Sequence, residues 1–216
     1  MAGATGPGPV AARLREAILD GEFVPGQRLI EQDLTERFAT GRAAVRAALL
    51  ELAGEGLIER VQNRGARVRA VSLDEAIEIC ELRMVVEGLC AAKAAERITE
   101  PEVGELRDLG EHMAEAVAAG DVMAYSRLNK RLHDRVQEIS AQKTAVLVLE
   151  RLRAQNVRHQ FKLALHPGRP AVSLPEHRAI IDAICARAPE AAEQAARAHV
   201  RSVIRTLPQV AQDQPG

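Results

Sequence analysis

The spacing of apolar residues changes twice along the first seventy positions. From Val10 to Asp20 the apolar residues Val10, Ala11, Leu14, Ala17 and Ile18 recur at helical spacing, and Gly21 and Pro25-Gly26 then stop the helix and turn the chain. Ile30 to Phe38 predicts a second short helix with Leu34 and Phe38 inward. Arg42 to Gly54 predicts a third, with Val45, Ala48, Leu49 and Leu52 on one face. After Gly56 the period falls to two: Leu57 to Val61, then Gln62-Asn63-Arg64-Gly65, then Ala66 to Ala70, the pattern of a two-stranded hairpin around a turn. Three short helices followed by a hairpin are the plan of a winged helix-turn-helix, in which the third helix enters the major groove and the hairpin touches the flanking backbone.

Beyond residue 70 the strand signal disappears. Ser72-x-x-Glu75 is a capping box that opens a long amphipathic helix to about Arg97, and the domain boundary is placed there. Further boundaries are predicted at Thr99-x-x-Glu102, with Pro101 in the first turn, at Gly120-Asp121, and near Ser140 to Thr144. Another falls at Ser173-x-x-Glu176, after the loop Pro167-Gly168-Arg169-Pro170, and a last turn at Arg187-Ala188-Pro189. The chain is therefore predicted to be mainly α: a winged helix-turn-helix over 10–71, with three helices and a β-hairpin wing, and an all-α helical bundle of about six helices over 72–208. The Gly- and Pro-rich residues 1–9 and the polar residues 209–216 are predicted to be disordered tails.

Composition narrows the chemistry. The 216 residues are 47% hydrophobic and 27% charged, which suits a folded chain of one or two domains. The formal charge of -1 means that any nucleic-acid surface must come from local sorting of charge. Such sorting is present. Residues 10–36 hold three Arg against six acids, and residues 37–69 hold seven Arg (Arg37, Arg42, Arg46, Arg60, Arg64, Arg67, Arg69) against three acids. The guanidinium fork matches phosphate pairs and guanine edges, and these arginines fall on the predicted recognition helix and wing. Aromatic residues make up only 2%, too few rings for a base-stacking platform on single strands. The three cysteines, with no C-x-x-C pair, read as small buried thiols in a reducing compartment. No apolar run approaches the roughly 20 residues that cross a bilayer, and the start MAGATGPGP has neither a basic nor an apolar leader region. A cytoplasmic protein without membrane attachment is expected.

The helical half carries a second constellation. Asn129 and His133 lie four apart on one predicted helix and rise from the same face. His177 and His199 are each 11 residues from Ala188, the centre of a predicted turn, so an antiparallel hairpin brings them to one level. Three imidazoles and one amide or carboxylate oxygen suit zinc, or another divalent first-row metal such as nickel or manganese. The neighbours Asp134 and Glu176 are candidates for orienting an imidazole. His112, His159 and His166 lack matching partners and receive no ligand role. No H-E-x-x-H pair, Gly-rich phosphate loop or nucleophile elbow accompanies the cluster, so no catalytic residue is assigned and the chain is not read as an enzyme.

At this point the two halves resemble a known family. Residues 14–69 resemble the DNA-binding domain of GntR-type bacterial regulators, through Gly21-x-x-x-Pro25-Gly26-x-x-Leu29, the helix start Arg42-x-x-x-Arg46 and the wing tip Asn63-Arg64-Gly65. Residues 77–204 resemble the all-helical ligand-binding (FCD) domain of the FadR branch, in E-L-R-M-V-V-E-G-L-C-A near its start, N-K-R-L-H at 129–133, E-H-R-A-I-I-D-A-I at 176–184 and A-R-A-H at 196–199. The helix count is similar to the six-helix subgroup. The resemblance implies a homodimer on a palindromic double-stranded operator, a metal held by an Asp or Asn and three His, and a small organic-acid effector beside it. It also implies that Arg42 and Arg46 contact bases or phosphates, that Gly65 lets the wing backbone approach the minor groove, and that Arg83 lines the effector cavity. The alternative for Arg83 is an i,i+4 surface pair with Glu87.

Two departures qualify the resemblance. Gly41, Ala43 and Ala44 stand where relatives usually carry hydroxyl residues and a Pro, which removes hydrogen bonds to DNA and points to a different operator. Asn129 stands where many relatives have Asp, and a neutral amide is the poorer ligand for a dication. The resulting reading is a dimeric transcription regulator, a repressor in most of this branch, with DNA contacts from Arg37, Arg42, Arg46, Arg64 and Gly65. A metal sensor with the ion itself as effector is the alternative, and a metal-dependent enzyme tethered to nucleic acid the more distant one.

Overall fold

The computed structural model describes residues 7–61, 65–156, 163 and 166–212. It divides into two compact units, one comprising Met1–Ser72 with Arg151–Val157 and the other Leu73–Glu150 with Arg158–Gly216.

In the first unit, α1 (Pro7–Leu19) ends where Gly21 takes a positive φ of 81°. A two-residue strand, β1 (Arg28–Leu29), leads into α2 (Glu31–Phe38), which carries Glu31 and Asp33 in its first turn and Arg37 in its last, both favourable to the helix dipole. Ala39 closes α2 in the left-handed conformation, and α3 (Arg42–Glu55) closes on Gly56 at φ 78°. The hairpin β2 (Ile58–Val61) and β3 (Gly65–Val68) follows, with Val61 opposite Gly65 and Ile58 opposite Val68. Leu14, Leu34, Val45 and Leu52 are fully buried between these elements, each such side chain contributing about 1.5–3 kcal/mol of burial.

The predicted two-stranded hairpin is a three-stranded sheet of order β1-β3-β2. Arg28 faces Arg67 and Leu29 faces Ala66, while the Gly26 N–H donates to the Val68 carbonyl at 2.8 Å and the Val68 N–H to the Gln27 carbonyl at 2.9 Å. A strand of two residues has no alternation to read, so hydrophobic periodicity could not show it.

The second unit contains α4 (Leu73–Arg97), α5 (Glu100–Ala118), α6 (Val122–Ser140), the start of α7 (Lys143–Gln155), α8 (Arg169–Cys185) and α9 (Pro189–Gln212). The long helices α4 and α9 pack together, α6 and α8 lie against α4, and α5 packs on α6 and α8. Small residues permit the close approaches. A Cβ on Gly88 would meet the Arg197 and Glu193 side chains at 3.1 Å, and one on Gly110 would meet Ile181 at the same distance. Leu106, Met113, Leu132 and Ile184 are buried in the core that results. Among the described residues no helix is long and apolar enough to cross a membrane.

Three boundaries differ from the sequence expectation. Helix α8 begins at Arg169, with Gly168 as its N-cap and Pro170 in the first turn, so Ser173 and Glu176 lie within the helix and do not cap it. Proline suits the first turn because the amide hydrogen it lacks has no intrahelical partner there. Residues 7–9 belong to α1 and residues 209–212 to α9, although both stretches were expected to be disordered. The capping box at α5 forms as the sequence suggests: one Glu102 oxygen accepts the Thr99 N–H at 2.9 Å and the Thr99 hydroxyl at 2.8 Å.

Hydrogen bonds from the Thr99 backbone and hydroxyl, aided by the charge of Arg135, hold the Glu102 carboxyl below its ordinary value of 4.5. A carboxylate depressed in the folded state stabilises above its unfolded pKa, and that stabilisation fades as pH falls through the folded value. Glu102→Gln should therefore cost about 1 kcal/mol at neutral pH. Urea denaturation across pH should show the gap to wild type closing below about pH 4.

Candidate functional site

Three imidazoles converge inside the helical unit. His133 comes from α6, His177 from α8 and His199 from α9. The turn at Arg187, φ 54°, reverses the chain between α8 and α9, and the His177 and His199 ring centroids stand 4.4 Å apart. His133 lies 5.4 Å from each of them. One ring nitrogen from each residue falls within 4.8 Å of the others, and this is the one such His/Cys/Asp/Glu group among the described residues.

Two of the rings are held by hydrogen bonds at Nδ1, and the third has a carboxylate near its Nδ1. The His177 Nδ1 and the Tyr125 hydroxyl are 2.9 Å apart, and the His199 Nδ1 and Glu176 Oε2 are also 2.9 Å apart. Glu87 Oε2 lies 3.7 Å from the His133 Nδ1. The opposite nitrogen of His177, Nε2, is buried with no hydrogen-bond partner, and so is the Oδ1 atom of Asn129, one helical turn before His133. Buried polar atoms left unpaired in this way cost free energy unless something unseen satisfies them.

Both orienting carboxylates are themselves neutralised by buried arginines. Glu87 Oε1 accepts from the Arg83 Nε at 3.0 Å and Nη2 at 2.8 Å. Arg169 reaches Glu176 at 3.1 Å with Nη2 and the Ser202 hydroxyl at 2.9 Å with Nη1. Burial works to raise the Glu176 carboxyl, but hydrogen bonds from His199 and Ser202, with the charges of His199 and Arg169, hold it below its ordinary value. Burial, reinforced by the charges of His199, His133 and Arg169, holds His177 well below the usual histidine range. It is a neutral base at neutral pH, with a lone pair to offer. Burial keeps the Tyr125 phenol protonated.

The sequence candidates divide accordingly. His133, His177 and His199 are brought together, and Glu176 orients His199. Asp134 pairs with Lys130 on α6. His112 is exposed, His166 is half-buried and outside the cluster, and His159 lies outside the described residues. Arg83 forms its i,i+4 pair with Glu87, but the pair is buried and not at the surface as that alternative had it. Its guanidinium faces Glu87 and Cys80, while Glu87, Cys90, Leu132, His133 and Gln137 line a small cavity beside the cluster. Tyr125, Glu87 and Arg169 were missed as partners of the histidines. The spacing Tyr125-x-x-x-Asn129-x-x-x-His133 places the first on the ligand face of α6 and was readable.

On the other unit, α3 buries Val45, Ala48, Leu49 and Leu52 and exposes Arg42, Ala43, Arg46, Ala47 and Leu50. Arg42 occupies the first position of the helix. Arg46 is two-thirds exposed and reaches Glu31 at 2.8 Å. Arg37 bonds to Glu22 and lies over the Phe23 ring at 4.8 Å. The acids of residues 10–36 thus fold back onto some of the arginines that follow, so the sorted charge of the sequence is partly paired in the structure. Gly65 opens β3 at φ 87°, a conformation that favours glycine. Arg64 lies outside the described residues.

Comparison with known proteins gives this arrangement its family. Residues 78–202 match the FCD domain and residues 8–68 match bacterial regulatory proteins of the gntR family. The chain belongs to the GntR-family regulators that carry an FCD domain. It is similar to the HTH-type transcriptional repressor RspR of Escherichia coli K12, 26% identical over 200 residues that cover 93% of this chain and 88% of that one. It is also similar to a probable D-xylose utilization operon transcriptional repressor of Paenarthrobacter nicotinovorans, 28% identical over 201 residues covering 90% and 87%. Among solved structures, E. coli McbR/YncC superposes with a TM-score of 0.76 at 22% identity, over 94% of this chain and 97% of that one. The chain is therefore a transcriptional regulator, and the proteins it matches are regulators and not enzymes.

Removing one member of a buried ion pair leaves the other charge uncompensated, at about 3–5 kcal/mol, whereas replacing both by apolar residues costs far less. Glu87→Ala should fall in that range in urea denaturation. The double change Arg83→Met with Glu87→Leu should retain more stability than Glu87→Ala alone.

Proposed function

We propose that this regulator is a homodimeric repressor in the cytoplasm, which binds a palindromic operator and answers to a small carboxylate at a metal centre in its FCD domain. The observation that carries the metal reading is the His177 Nε2 atom, buried and unpartnered among two further imidazoles. The donor set fits a borderline dication: three imidazoles from three helices, and the buried, unpartnered Asn129 oxygen beside His133 as a fourth candidate. His133, His177, His199 and Asn129 would hold the ion. When bound, it supplies a Lewis-acidic site at which a carboxylate can ligate. Zinc is the leading candidate, with nickel and manganese as alternatives, because imidazole donors discriminate weakly among them.

Within this scheme Tyr125, Glu176 and Glu87 orient the three imidazoles. Arg83 contributes to effector binding by turning from Glu87, which shares its guanidinium, toward an incoming carboxylate. Effector binding changes DNA affinity only if it favours one arrangement of the dimer over another. On the DNA side Arg42 and Arg46 enter a major groove from the exposed face of α3, where Ala43 and Ala47 let the helix come close. Arg37 supports that contact, and Arg64 and Gly65 carry the wing. Half-sites should lie roughly 10 bp apart, centre to centre.

Elemental analysis of protein purified without a histidine tag tests the centre. About one metal per chain should be found, and it should be lost in folded His133→Ala and His177→Ala variants; absence of metal after reloading would sink the reading. DNA affinity that responds to the metal with no carboxylate present would make the ion itself the signal, a reading that the weaker amide ligand at Asn129 favours.

For the DNA face, Arg46→Ala should weaken operator binding by at least about 1 kcal/mol. The loss requires more than freeing Glu31, because the Arg46–Glu31 pair is exposed and contributes little by itself. Unchanged operator affinity in a folded Arg46→Ala protein would remove Arg46 from the interface.

A further inference from the structure

The three imidazoles are not held alike. His199 is backed by the Glu176 carboxylate, which can only accept a hydrogen bond, and His133 stands nearest the Glu87 carboxylate. At 2.9 Å the Glu176 carboxylate fixes a proton on the Nδ1 of His199. His177 is backed by the hydroxyl of Tyr125, a group able to donate or accept, so its tautomer is not fixed by its partner's chemistry alone. It is also the most buried of the three.

The Nε2 side of His177 meets no acceptor, so the ring proton belongs on Nδ1, where the phenol oxygen 2.9 Å away accepts it. The Nε2 lone pair then faces the other two rings. In the opposite tautomer a buried Nε2–H would point where the described structure offers it no acceptor, at the full cost of an unmade hydrogen bond.

We propose that Tyr125 is a positioning residue for the centre: through its hydroxyl it holds His177 in the Nδ1–H tautomer and aims Nε2 at the ion. This rests on the metal reading above. Tyr125 needs no contact with the ion.

Zinc is the probe. Nitrogen-15 imidazole correlations on the metal-free wild-type chain should show His177 as a single Nδ1–H tautomer. Tyr125→Phe keeps the ring and removes only the hydroxyl. Its metal-free circular dichroism should match wild type, its His177 should become a mixture of tautomers, and its zinc affinity, from competition with a chromophoric chelator, should fall roughly 10- to 100-fold. A purely structural role for Tyr125 would leave the tautomer unmoved. An Nε2–H tautomer in the wild-type chain, or wild-type zinc affinity in folded Tyr125→Phe, would overturn the assignment and leave the metal centre standing. Failure of the wild-type chain to take up zinc would overturn both, and would be seen before any variant is made. Should Tyr125→Phe not fold, the wild-type tautomer decides the matter.

Discussion

Everything in the helical unit is arranged around the need to keep three imidazoles together and dry. Two protonated rings would repel each other, and burial both disfavours the charged form and makes that repulsion harder to screen. The unit answers by supplying a hydrogen-bonding oxygen to the Nδ1 of His177 and of His199, and by setting a buried arginine behind Glu87 and Glu176. Glu87 with Arg83 and Glu176 with Arg169 are then internally neutral, so neither imposes a net charge on the rings. The long packing of α4 on α9 and the close approaches at Gly88 and Gly110 make this possible, because they hold four helices near enough for side chains to meet.

Such a network is a poor way to gain stability. Two buried ion pairs cost much in desolvation, and apolar residues of the same volume would hold the helices at least as well. Its retention is better understood through what it fixes, the direction of three ring nitrogens. The same reasoning explains the asymmetry of the centre. The Glu176 carboxylate leaves His199 no choice of tautomer, whereas the phenol behind His177 can donate or accept.

Much of this was legible in the sequence because it rests on local periodicity. The helix N-termini at Leu73 and Glu100 follow from Ser/Thr-x-x-Glu spacing, and the meeting of His177 with His199 follows from equal distances to one turn. What was not legible depends on non-local choice. Ser173-x-x-Glu176 has the same spacing as a true capping box, yet Glu176 turns inward, because Gly168 and Pro170 already start the helix and a buried Arg169 and His199 compete for its carboxylate. Asp134 and Glu176 look equivalent as neighbours of a histidine; only the side of the helix each occupies separates them. The strand β1 was too short to carry a pattern.

The two units also differ in how directly charge in the sequence becomes charge in space. Counting arginines over residues 37–69 suggests an unopposed basic surface, but Glu22 and Glu31 return to Arg37 and Arg46. Exposed pairs of this kind are weak and exchange readily for phosphate. They therefore cost little when DNA is met, while reducing the attraction for any polyanion at a distance. With Gly41, Ala43 and Ala44 in place of hydroxyl residues, the start of α3 has fewer side-chain hydrogen bonds to give a phosphate backbone, and on the proposed reading discrimination would rest more heavily on where Arg42 and Arg46 can reach. On the proposed reading of a dimeric repressor, the geometry that would matter is the separation of two such helices, which is the quantity a ligand in the helical unit would have to change.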